Sequence, residues 1–199
     1  MSEGRESLGR SRRPSGPAHQ PAPREARFLS VLAPWIPRRS ALLDVGAGSG
    51  LLARALTDAL DLHATLVDVV NNNESHLPFV LCDGGRLPFQ DRTFDVALLA
   101  FVLHHAPQPM RVLREARRVS RRLIILEDTY RSLVERAFAA WTDWELNRGH
   151  GITPAWGRFT PGGWLDLVRQ EGHPIQVEEM PPKWLGVYRD PIRHLLMVI

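Results

Sequence analysis

Five clusters along the chain carry residue types that do chemistry. The first is the turn Asp44 to Gly50, "DVGAGSG", which separates the apolar run "SALLDV" from the amphipathic run "LLARALTDAL". Three glycines in five positions let the backbone take left-handed angles and pass close to a ligand. A carboxylate ending the preceding strand would put that ligand at the carboxyl edge of a sheet. A dinucleotide fingerprint needs Gly or Ala at its sixth position, where Leu51 stands, and a phosphate P-loop needs a Gly-Lys-Ser/Thr that does not follow. Taken alone, the glycines also fit a tight strand-to-helix turn that holds nothing. The other four clusters are Asp68 closing "LVD", Asp83 and Gly84 in "CDGG", the tandem His104 and His105 in "FVLHH", and Glu127 with Asp128 after "LIIL". The remaining histidines, at 19, 63, 76, 150, 173 and 194, show no ligand spacing, and Cys82 is alone, so no metal site is expected.

The elements that must position these clusters alternate. Residues 24–35, "REARFLSVLAPW", place Ala26, Leu29, Val31, Leu32 and Trp35 at roughly helical spacing. The strands "SALLDV", "ATLVDV", "LPFVLCD", "TFDVALLAF" and "LIILE" follow, with helices "LLARALTDAL" and "MRVLREARRV" between members of the series. The strand runs are apolar without alternation, the signature of parallel strands covered on both faces. This predicts an α/β fold, an open doubly wound sheet. Beyond Glu127, "YRSLVERAFAAWTDWEL" predicts a long amphipathic helix with Leu133, Val134, Ala137, Phe138, Trp141 and Trp144 along one side, and Asn147 and Gly149 as terminating signals. "TPGGWLDLVRQEG" predicts a helix with Thr160 as cap, Pro161 at its first position and Gly172 as stop. "IQVEEM" and "RHLLMVI" are the last two strands. For the tryptophans beyond residue 140 (141, 144, 156, 164 and 184), packing is the expected role, and the alternative is that at least one lines an apolar acceptor site.

Charge distribution narrows the class of partner. Residues 1–27 hold six arginines and three glutamates, which is the whole net charge of +3, and the remainder balances at nineteen basic against nineteen acidic. A folded body without a basic face lacks the phosphate-neutralising surface of a nucleic-acid enzyme, so no nucleic acid is expected as partner. Residues 1–22 are rich in Ser, Gly, Pro and Arg and poor in large apolar side chains, so we read them as a disordered tail ahead of one domain over 23–199. A single cysteine and the lack of any long apolar run predict a cytoplasmic protein with no membrane span.

The motif order "LLDVGAGSG", "LVD", "CDGGRLPF", "FDVALLAFVLHH" and "LREARRV" resembles the class I S-adenosylmethionine-dependent methyltransferases, in particular a small-molecule group with an Asp-x-x-x-Leu-Pro-Phe turn and a Leu-His-His after the fourth strand. The resemblance is specific from Leu42 to Asp128 and looser to Ile199. It implies a Rossmann-like, seven-stranded sheet, mostly parallel with an antiparallel last strand. It implies S-adenosyl-L-methionine as cofactor, a small-molecule acceptor, and residues 130–188 as the substrate-facing part. By resemblance, Asp68 accepts from both ribose hydroxyls, a charge-assisted contact worth ~1.5–3 kcal/mol. Asp83 accepts from the adenine amino group and the Gly84 amide donates to the ring. The backbone of Gly46, Ala47 and Gly48 comes within contact of the methionine part, Asp44 orients its ammonium, and Phe101 floors the site.

Methyl transfer from a sulfonium demands alignment and desolvation more than acid or base groups. A base matters only where the acceptor must lose a proton, and His104 and His105 lie where one would stand. Their other reading is helix capping or packing. Glu127 and Asp128 read either as ligands of a cationic acceptor or as a solvated strand end. One departure from the family pattern concerns the cofactor wall. Between Asp68 and the strand "LPFVLC" only "VVNNNESH" remains, too short for an ordinary crossover helix. The second crossover helix should be absent or a single turn, leaving the pocket more open or covered by the N-terminal segment, with Asn71 or Asn72 sharing the ribose. The alternatives to a small-molecule enzyme are an RNA or protein methyltransferase docking through the arginine tail and a cofactor-binding interaction protein without turnover. The first is disfavoured because "FVLHH" stands where an amine-binding Asn-Pro-Pro-Tyr turn would.

Overall fold

A computed structural model describes residues 21–147, 159–185 and 188–199. Helix α1 (Pro23–Leu32) and a 3-10 turn lead into β1 (Ala41–Val45), followed by α2 (Leu51–Leu60), β2 (His63–Asp68), β3 (Phe79–Leu81), β4 (Phe94–Ala100), α3 (Pro109–Val119) and β5 (Ser120–Thr129). Then come α4 (Leu133–Asn147), α5 (Pro161–Val168), β6 (Gln176–Met180), β7 (Lys183–Leu185), β8 (Tyr188–Asp190) and β9 (Arg193–Val198). Seven strands form one sheet in the order β3-β2-β1-β4-β5-β9-β6. The first five run parallel, and β9 enters antiparallel between β5 and β6. This is the expected doubly wound, Rossmann-like sheet, and β7 pairs with β8 in a separate small hairpin.

Both faces of the sheet are covered, which explains why its strands read as unbroken apolar runs. Successive residues of one strand go to opposite layers. Leu42, Val96, Leu98, Ile124 and Leu126 pack with Phe28 and Leu32 of α1 and Leu56 and Leu60 of α2. Leu43, Ala97, Leu99, Leu123 and Ile125 pack with Leu113 and Ala116 of α3 and Trp164 and Val168 of α5. Burying a Leu or Ile side chain in such a layer stabilises the fold by roughly 1.5–3 kcal/mol. Trp164 is fully buried and its indole N–H donates to the Asp128 carbonyl at 2.9 Å, a core role.

Three expectations need correction. The packing role expected for Trp141 and Trp144 does not hold: both are exposed, as are Phe138 and, at 78% and 79%, Leu133 and Val134 of the same apolar stripe, while Ala139 is buried. The sheet faces are already occupied by α1 and α2 on one side and α3 and α5 on the other, so no sheet surface is left for α4. The helix also starts at Leu133 rather than Tyr130, because the Ser132 hydroxyl accepts from the Glu135 N–H and acts as its cap. Finally, β5 has ten residues instead of five, beginning directly at the end of α3 with the Ser120 hydroxyl donating to Ala116 O. The predicted helix over 160–172 begins as expected, with Thr160 Oγ1 accepting from the Gly163 N–H, and ends at Val168, before Gly172. Gly149, His150 and Trp156 lie outside the described residues. Residues 69–78, between β2 and β3, contain no helix, as the short spacing predicts.

Candidate active site

Every strand of the parallel set ends on the same edge, and there the loops enclose a cavity of about 980 Å³. Its lining includes all ten residues singled out from the sequence: Asp44, Gly46, Ala47, Gly48, Asp68, Asp83, Gly84, Phe101, His104 and His105. Asn71 and Asn72 do not line it, so the ribose role considered for them is withdrawn. Asn71 Oδ1 instead accepts from the Asn73 N–H in the crossover turn.

The glycine turn is held against β2. The Gly46 and Ala47 N–H groups donate to Val67 O at 2.8 and 3.2 Å, which bends the chain away from β1. Gly46 and Gly48 both have positive φ, +72° and +54°. A Cβ on Gly46 would come within 2.2 Å of the Val102 side chain, whereas one on Gly48 would meet nothing within 4 Å. Gly46 is therefore required by close packing, and Gly48 leaves an open cradle. Asp68 is fixed at the cradle's rim: Oδ2 accepts from the Gly48 N–H at 2.8 Å, and Oδ1 from the Val69 N–H at 2.6 Å. A carboxylate offers about four lone-pair sites, so these bonds orient it and leave acceptor capacity for a ligand.

Asp44 lies deeper and is buried. Burial, reinforced by the nearby negative charge of Asp68, pushes its carboxyl up to about 7. Asp83 closes a turn of its own, Oδ1 accepting from the Gly85 N–H at 2.9 Å, with Gly84 between them at φ +68°. Phe101 sits just past β4 in the left-handed region, φ +60°, with its N–H donating to Leu126 O at 2.7 Å. A bulky side chain rarely adopts that conformation, and here it aims the ring at Phe28 and His194, with centroids 5.1 and 5.2 Å away.

The histidine loop is anchored from β5. Glu127 is fully buried, and its Oε1 accepts from the Val102 and Leu103 N–H groups at 3.0 and 2.6 Å. Its Oε2 pairs with His104 Nδ1 at 2.5 Å. A carboxylate can only accept, so His104 donates from Nδ1 to Glu127. The His105 ring is tilted against that of His104, with centroids 4.1 Å apart. Glu127 is thus neither a solvated strand end nor a ligand for a cationic acceptor, but the post that holds this loop. Asp128 is also buried, paired with His194 Nδ1 at 2.9 Å.

Two features escaped the sequence reading of individual residues. The N-terminal half of α1 supplies Arg24, Glu25 and Phe28 to the cavity wall. The only hint was the short crossover, which pointed to the N-terminal segment as cover. A buried chain of charges, Arg27 to Asp190 to His194 to Asp128, links four elements behind Phe101. It had no local signature, since its members are 163 and 66 residues apart along the sequence. Among the described residues no group of three or more His, Cys, Asp or Glu is placed to hold a metal, and no helix is long and apolar enough to cross a membrane.

Comparison with known proteins agrees with this geometry. Residues 43–123 match the "Methyltransferase domain" family. A demethylmenaquinone methyltransferase of Thermotoga maritima is 34% identical over 97 residues, 43% of this chain and 42% of that protein. A ubiquinone/menaquinone biosynthesis C-methyltransferase of Roseobacter denitrificans is 34% identical over 119 residues, 50% of this chain and 48% of that protein. The chain spans about half the length of the curated relatives it matches. A SAM-dependent methyltransferase from Aquifex aeolicus shares the fold, with a TM-score of 0.57 at 17% identity over 88% of this chain and 89% of that one. Over residues 43–123 the chain is similar to the methyltransferase-domain family, and its strand order is that of the Rossmann-like methyltransferase fold.

Proposed function

We propose that the chain transfers a methyl group from S-adenosyl-L-methionine to a small-molecule acceptor. The observation that carries this is the convergence of Asp44, Gly48, Asp68, Asp83 and Gly84 on one cavity, with Gly48 opening a cradle and Asp68 clamped at its rim. The donor set fits the cofactor. Asp68 would take the ribose hydroxyls, Asp83 and the Gly84 amide the adenine edge, the Gly46 to Gly48 backbone the methionine part, and Asp44 its ammonium. When bound, the cofactor supplies an activated methyl carbon that an acceptor nucleophile displaces in line from sulfur. This chain's residues then align and dehydrate the pair. His104, with Nδ1 held by Glu127, and His105 beside it are the candidates for the base where an acceptor must lose a proton. The quinone-pathway names of the relatives support a ring-shaped small molecule as acceptor.

Isothermal titration tests this reading. S-adenosylmethionine and its demethylated product should both bind, and Asp68→Ala should weaken binding roughly ten- to hundredfold, the loss of a charge-assisted pair. Unchanged affinity in that variant would show that the ribose is held elsewhere. Deleting residues 1–22 should leave turnover on a small acceptor intact, whereas an RNA or protein methyltransferase docking through the tail would lose it.

A further inference from the structure

Helix α4 turns its apolar side away from the body of the chain. Leu133, Val134, Phe138, Trp141 and Trp144 are 42–79% exposed, and Ala139, on the opposite side of the helix, is buried. These five side chains together present about 600 Å² of accessible area, at the top of what a soluble monomer ordinarily leaves in one apolar patch. The charged residues beside the stripe are engaged with the chain itself. Glu135 accepts from the Arg131 N–H at 2.7 Å and pairs with Arg193 at 3.4 Å, and the Arg136 guanidinium lies 5.7 Å from the Tyr130 ring centroid. The Phe138 and Trp141 rings already rest on each other with centroids 5.8 Å apart, so covering them costs little further side-chain freedom.

The order of large and small residues along the stripe says what can cover it. Val134, Ala137, Trp141 and Trp144 follow one another by three, four and three residues, the spacing of a helix-pairing seam. Ala137 is exposed like its neighbours and leaves a gap between the bulky members. Laid antiparallel about Ala139, two such helices set Trp141 of one copy against Ala137 of the other and Trp144 against Val134, so a large side chain meets a smaller one in every layer. A parallel alignment would set Trp141 on Trp141 and Ala137 on Ala137, crowding one layer and emptying the next. The antiparallel pair is isologous and closes on itself as a two-fold dimer. From the stripe alone it buries roughly 1,200 Å², the lower bound for a stable specific interface. A lipid surface fits less well, because α4 carries Glu135, Asp143 and Glu145 against the single Arg136, whereas helices that lie on membranes have basic polar faces.

We infer that this protein forms a two-fold dimer in which α4 pairs antiparallel with α4 of a second copy through Val134, Ala137, Phe138, Trp141 and Trp144. The pairing does not depend on what the cavity binds.

Sedimentation equilibrium of the full chain over about 1–100 μM tests it, and should give the mass of two chains with dissociation toward the low end. Trp141→Glu changes an exposed position, so it should keep the helical circular dichroism while weakening association about a hundredfold. Ala137→Trp should weaken it likewise, by filling the gap that receives Trp141. Ala137→Trp combined with Trp141→Ala exchanges the large and small members of that layer and should restore the dimer. A monomer throughout the range overturns the inference. Association unchanged in Trp141→Glu overturns it by moving the interface to another face, and a combined variant no tighter than Ala137→Trp overturns the antiparallel alignment on which it rests. A monomer that cosediments with phosphatidylcholine vesicles, and loses them in Trp141→Glu, overturns it by assigning the stripe to lipid.

Discussion

Asp44 and Asp68 show how two carboxylates of one site divide the work through environment. Asp68 takes backbone N–H bonds at the cavity rim, and Asp44 is buried behind it with its carboxyl pushed up to about 7 by desolvation and by the charge of Asp68. At neutral pH Asp44 therefore holds a fraction of a proton. A cationic ammonium beside it favours the ionised form, so cofactor binding near pH 7 should release that proton. Affinity should rise as pH increases toward about 7 and fall above about 8, where the α-amino group of the cofactor loses its own proton. Calorimetry in two buffers of different ionisation heat measures the release directly. Asp44→Asn should abolish it and lower affinity about tenfold. Identical heats in both buffers for the unmodified protein would show that Asp44 does not meet the ammonium.

At the scale of elements, what was legible follows from what each element touches. The five parallel strands could be read because burial on both faces removes alternation, and their carboxyl ends could be paired with the acidic residues that close them. The missing crossover helix was legible from length alone. The full extent of β5 was not, because Arg121 and Arg122 lead it and look like a loop; Arg122 is accommodated by donating to Trp35 O at 2.7 Å. The β7–β8 hairpin, with three residues in each strand, is too short to leave a period. The α4 stripe misled because helical spacing reports an apolar side without reporting whether any surface is left to cover it. The glycine turn itself makes a separable prediction. Gly46→Ala adds a Cβ against Val102 in a left-handed conformation and should cost about 2–3 kcal/mol of stability, partly restored by Val102→Ala. Gly48→Ala meets only open space, so it should cost about 1 kcal/mol in stability while losing most cofactor affinity. Thermal melts and titration of the two variants distinguish them, and equal losses in both measurements would remove the distinction drawn here between packing glycine and cradle glycine.

The whole molecule is tied together behind the site by a buried chain of four charges. Arg27 of α1 bonds Asp190 of β8 and, through its second nitrogen, Pro181 O; Asp190 meets His194 Nε2 at 3.0 Å, and His194 Nδ1 meets Asp128 of β5 at 2.9 Å. Both imidazole nitrogens face carboxylates, which only accept, so both must donate and His194 is cationic when the chain is complete. Two positive and two negative groups then cancel. Burial would lower the His194 pKa, but its bonds to Asp128 and Asp190 raise it above the ordinary value of 6.5. The folded state therefore binds a proton more tightly than the unfolded state. The stabilisation is complete below about 6.5 and is lost as pH rises through the folded value. Melting temperature should accordingly fall across the alkaline side of neutrality, and His194→Gln should flatten that part of the profile. Arg27→Ala leaves Asp190 short of a partner and should destabilise by about 3–5 kcal/mol, as for other broken buried pairs. Because Phe28 and Phe101 pack on the His194 ring at 5.3 and 5.2 Å, neutralising it should also loosen the packing of α1 against the sheet. A melting profile that keeps its alkaline slope in His194→Gln would place the titrating group elsewhere and leave α1 held by apolar packing alone.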